Sequence, residues 1–178
     1  MQLATQDNSG SYLIAPMPAR AGLTRSVTGR DQTGAQVDLS VVEERPLTIY
    51  LNAQEIVTAM TIGDYPEYLA LGFLRNQRML GDDDVITGVD YDDELQVVVV
   101  RTARQTNHED KLKKKTRTSG CAVGTVFGDM MEGLDDVVLP ATPVRTSWLY
   151  ALSAAINRTP SLYLEAGAIH GTVLCHQD

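Results

Sequence analysis

Cysteine is almost missing from this chain: Cys121 and Cys175 are the only two in 178 residues. Two thiols cannot build the disulfide framework of a small secreted domain. They also form no Cys-x-x-Cys pair, so the usual ligand spacing of a structural zinc site is lacking. Zinc deaminase chemistry is not expected, because the Cys-x-x-Cys pair is missing and His170 is followed by Gly171 and Thr172 rather than completing a His-x-Glu signature. No apolar run approaches the roughly 20 residues of a membrane-spanning helix. Residues 1–16 are polar and carry no apolar stretch of the secretory type. The expectation is a cytoplasmic protein with reduced thiols. Neither common glycine-rich phosphate loop occurs, and no repeat is visible. An excess of basic charge is lacking as well: the net charge of -8 argues against a general nucleic-acid binder.

Size and patterning then set the organisation. The 43% hydrophobic and 21% charged residues are ordinary for a globular chain, long enough for one domain or two small ones. Residues 1–22 read as a loose arm. Strands are expected at Ser26 to Thr28, Val37 to Val41, Leu47 to Leu51, Ile56 to Met60 and Leu95 to Val100, from alternation or short apolar runs. Asp64 with Pro66 and Glu67 has the spacing of a capping box opening a helix that runs to about Asn76. Thr146 or Ser147 would cap a second helix, from Trp148 to about Asn157. Leu162 to Leu164 reads as a short strand, and Ile169 to Cys175 as another beyond the Ala166-Gly167-Ala168 turn. The expected division is an N-terminal α+β domain over 23–105, a basic linker over 106–118 and a further segment over 119–178.

Charge is unevenly spread. Asp82 to Asp84 and Asp90 to Glu94 are acidic runs whose spacing matches no calcium loop, and they read as a solvated hairpin rim. Lys111, Lys113, Lys114, Lys115 and Arg117 form a basic run just before Ser119-Gly120-Cys121. A thiol is a nucleophile or sulfur carrier only as thiolate, and nearby cations favour that form. Small residues around Cys121 would let a second molecule approach its sulfur. Composition alone favours the plainer alternative, a small buried residue in a loop, since free cysteine is among the most buried types. His170 is open between a strand histidine bonded to neighbouring backbone and a ligand-binding residue. Tyr65, Tyr68 and Phe73 fall at helical spacing and read as packing.

Several segments together resemble one family. Glu44-Arg45-Pro46-Leu47-Thr48-Ile49-Tyr50-Leu51-Asn52 is similar to a Glu-x-Pro-Leu-x-Ile-x-x-Asn strand. Ala59-Met60-Thr61 and Asp64 to Leu74, with Leu71-Gly72-Phe73-Leu74, resemble the strand and helix that follow it. Ser119-Gly120-Cys121 sits where a cysteine loop is carried. These are features of the formate dehydrogenase accessory sulfurtransferase family, FdhD/NarQ, and the resemblance covers residues 40 to 176. It implies an α+β chain in which a small N-terminal domain precedes an incomplete cytidine-deaminase-like α/β domain.

The resemblance also implies the chemistry. Cys121 would carry sulfur as a persulfide, taken from a cysteine desulfurase and passed to the molybdenum bis-guanine-dinucleotide cofactor that formate dehydrogenase needs. Lys115, Arg117 and His170 would face that cofactor. Homodimerisation is expected, and no metal ion is. Three departures bear on this. Gly124 stands where the family's second loop cysteine falls, and the Thr-Gly-Gly-x-His segment reads Ala166-Gly167-Ala168-Ile169-His170. The family's Asp-Val-Gly-Arg-His-Asn-Ala motif would lie beyond Asp178, which suggests a truncated chain. The competing expectation is a truncated, non-catalytic paralogue that binds only a partner protein or a nucleotide.

Overall fold

A computed structural model describes residues 22–104, 115–118, 124–127, 137–141 and 143–173. The Glu44–Pro140 unit is organised by two apolar strands that lie side by side and parallel: β3 (Arg45–Leu51) and β6 (Val97–Thr102), with Ile49 opposite Val98 and Leu51 opposite Val100. Each buries one face, Leu47, Ile49 and Leu51 on β3 and Val98 and Val100 on β6, while the residues between them are half-buried. The edges are antiparallel, β4 (Gln54–Thr61) beside β3 and β5 (Ile86–Asp92) beside β6, giving the order β4-β3-β6-β5. A bulge between Ile49 and Tyr50 shifts the β3–β4 register, and on β4 the adjacent Ile56 and Val57 are both buried.

Helix α1 (Pro66–Asn76) packs on β5 and β6. Leu47, Ile49, Leu51, Val57, Val98 and Val100 from the sheet join Ala70 and Leu74 from α1 and Met79 and Leu80 beyond it in one buried cluster. Phe73 packs against this cluster, half-buried, whereas Tyr65 and Tyr68 pair with each other, ring centres 6.0 Å apart. The helix begins differently from the expected Asp64 cap. Its boundary residue is Tyr65, in the left-handed region at φ 46°, and the Tyr65 side chain makes no capping bond. Pro66 at the first helical position has no N–H to satisfy, so one orphan donor of the first turn is missing already.

Strand β5 was not legible as a strand. Gly88 and the acids Asp90 and Asp92 dilute its alternation, and a register shift between Ile86 and Gly88 breaks its period. Asp90 to Glu94 do form the hairpin rim: Asp92 Oδ1 accepts from the Glu94 and Leu95 amides at 3.0 and 2.9 Å, and Asp90 pairs with Arg101.

The described residues of Met1–Glu43 and Ala141–Asp178 form the other unit. Strands β1 (Thr24–Arg30) and β2 (Gln36–Val42) pair antiparallel along their whole length. In their turn Asp31 Oδ1 accepts from the Thr33 hydroxyl, the Thr33 amide and the Ala35 amide. Those donors, the Thr33 hydroxyl foremost, hold the Asp31 carboxyl below its ordinary pKa.

Residues 162–164, expected as strand, are helical instead. They belong to α3 (Leu162–Ala166), which follows α2 (Thr146–Ile156) and packs on β2. Ser161 caps α3 by accepting from the Leu164 amide, and Gly167 at φ 64° ends it. Glu165 accepts from Thr24 and Ser40 hydroxyls of the hairpin at 3.4 and 3.3 Å. The strand expected from Ile169 is absent over 169–173: no ladder among the described residues includes them, and without a partner an extended segment is not a strand. Cys175 and the arm over 1–21 lie outside the described residues. None of the described helices is long and apolar enough to cross a membrane.

Candidate functional site

Cys121 is bracketed by a small hairpin. Alternating Lys115-Thr116-Arg117-Thr118 forms β7, and Gly124-Thr125-Val126-Phe127 forms β8. They pair antiparallel, Lys115 opposite Phe127, Arg117 opposite Thr125 and Thr118 opposite Gly124. β-Branched threonine and valine suit such a ladder. The ladder closes on Thr118 and Gly124, so residues 119–123 join the two strands, and Cys121 is the middle residue of that stretch. The stretch itself lies outside the described residues. Lys115–Thr118, the end of the stretch expected to link domains, is therefore strand, and it places Lys115 and Arg117 in the same short element that leads to Cys121. The nominal position of the second loop cysteine, Gly124, is the first residue of β8.

His170 belongs to the other unit. It follows a left-handed pair, Gly167 at φ 64° and Ala168 at φ 52°, and is exposed. No strand ladder among the described residues includes it. No group of three or more His, Cys, Asp or Glu among the described residues could hold a metal ion.

Two polar anchors near the end of β6 went unnoticed in the sequence. Asn52, the last residue of the Glu44–Asn52 segment, lies at φ 54°, a conformation asparagine tolerates better than most residues. Its side chain donates to Thr102 Oγ1 at 3.1 Å and accepts from the Thr102 amide at 2.9 Å, while its own amide donates to the Val100 carbonyl at 2.7 Å. Asn52 thus ties the turn after β3 to the end of β6. We expect Asn52→Ala to cost about 1–3 kcal/mol through two lost bonds and left-handed strain. Asn52→Gly should cost less than Asn52→Ala, because glycine removes the strain. Urea midpoints of the two variants check the order.

The second anchor is Asp84, expected to lie in a solvated rim with Asp82 and Asp83. Its side chain is only 5% exposed, accepting from Arg104 at 3.0 Å and from the Gly81 amide at 2.8 Å. The signal was Gly81 three residues before an aspartate, a turn spacing hidden inside a run of like charges. Asp82, by contrast, is exposed and pairs with Arg75 across 2.6 Å. Thr102 in turn donates its hydroxyl to the Arg104 carbonyl. Asn52, Thr102, Arg104 and Asp84 therefore fasten the chain where it leaves β6 toward β7.

Known proteins supply the remaining context. The FdhD/NarQ family model matches residues 42–178. The sulfur carrier protein FdhD of Wolinella succinogenes is 26% identical over 155 residues, 84% of this chain and 53% of its own. That of Listeria monocytogenes serotype 4b is 23% identical over 147 residues, 80% of this chain and 56% of its own. The chain spans about half the length of the curated relatives it matches. A crystal structure of a candidate formate dehydrogenase accessory protein from Desulfotalea psychrophila is 21% identical, covers 44% of this chain and 34% of its own, and gives a TM-score of 0.39.

Proposed function

This chain belongs to the FdhD/NarQ family, and from that premise we propose that it is a sulfur carrier whose working thiol is Cys121. The Cys121 thiolate attacks the outer sulfur of a persulfide held by a cysteine desulfurase. A new S–S bond forms on Cys121, the donor's S–S bond breaks, and the donor cysteine leaves as thiolate. The Cys121 S–S bond then breaks, Cys121 leaves as thiolate, and the outer sulfur passes to the molybdenum bis-guanine-dinucleotide cofactor. That cofactor is the substrate here, destined for formate dehydrogenase, and its reduced metal would supply the two electrons that make the transferred sulfur sulfide. The observation that carries the reading is the family match running through residues 119–123, with Cys121 between paired strands and Lys115 and Arg117 in the first of them. Two cations in that element favour a thiolate and then a persulfide anion. We propose that these two residues meet the phosphates of the substrate, and that His170, in the other unit, is a separate contact to it.

The same proposal takes residues 119–178 as the opening part of a cytidine-deaminase-like domain, the cytoplasm as the compartment, and a homodimer as the assembly. Gly124 in place of a second thiol favours one alternative, a chain that binds a partner or a nucleotide and moves no sulfur. Incubation with a desulfurase and cysteine, followed by mass spectrometry, separates the two. We expect one added sulfur on the Cys121 peptide. An unmodified peptide, with an active family member loaded in parallel, leaves only the binding role.

The electrostatic part has its own test. In a Cys175→Ala background, where Cys121 is the sole thiol, Lys115→Gln with Arg117→Gln should raise the apparent thiol pKa and slow alkylation at neutral pH by about 3- to 10-fold. An unchanged pH profile of alkylation removes these two residues from the site and leaves Cys121 in it.

A further inference from the structure

We draw no further inference here: the strongest candidate, the uncharged surface of α2 on which Leu149, Tyr150, Leu152 and Ile156 stand exposed, is an apolar helix patch, and nothing in the structure shows what covers it.

Discussion

Cys121→Ala is expected to abolish sulfur loading by a cysteine desulfurase, while Cys175→Ala leaves it intact. The effect is all-or-none because the chain offers only two thiols, and alanine has no atom that can attack a persulfide. Serine would not rescue it, since a hydroxyl stays protonated in the pH range where a cysteine beside cations is already thiolate. The two variants must be read together. Loss in Cys121→Ala alone assigns the thiol. Loss in Cys175→Ala alone assigns it to Cys175 and overturns the choice of Cys121, and loss in both points to a disulfide or to unfolding. Circular dichroism of each variant distinguishes these last two cases. A Cys121→Ala protein that still takes up one sulfur overturns the carrier reading at Cys121 altogether.

The second large effect lies in the core. Leu74 is fully buried where α1 meets the sheet, and the carbonyl it carries accepts from the Met79 amide at 2.8 Å as the chain turns out of the helix. Leu74→Ala removes buried methyl groups and leaves a cavity that flanking Val98 and Val100 cannot close without moving the sheet. The expected cost is about 2–5 kcal/mol. Against a typical total of about 5–15 kcal/mol, that is enough to populate the open state visibly. Leu69, five residues earlier in the same helix, is 40% exposed, and Leu69→Ala should cost about 0.5 kcal/mol. Hydrogen exchange at the Val98 and Val100 amides reads this unit directly, whatever the other unit does. Equal acceleration by both variants would mean that α1 presents a different face to the strands.

How far the sequence could be read follows from how local each signal is. β2, β3, β4 and β6 and both long helices were legible because each carries its own pattern, alternating or apolar, within one short window. β5 was not, because its place is decided by pairing with β6 and its glycine and aspartates spoil the period. Leu162 to Leu164 has the composition of a strand, yet the Ser161 hydroxyl and Gly167 make a helix of it, and those two signals flank the segment rather than lie in it. The Asp64 cap failed for a related reason: the correct residue types stood one position from where the backbone turned. Of the proposed site, Cys121 was singled out by its neighbours and the family motif, and it lies outside the described residues. The anchors at Asn52 and Asp84, which fasten the end of β6, were not legible, since each acts through a partner 50 or 20 residues away.

The sheet order has a consequence for how this protein is made. β6 inserts between β3 and β5 although it leaves the ribosome after both. A nascent chain that has delivered only the first five strands therefore leaves the β3 edge that β6 covers unpaired, with the Thr48 and Asn52 amides among its open donors, until residues 96 to 100 emerge. Translation pauses within that interval should be the moments of greatest aggregation and of greatest demand for a chaperone.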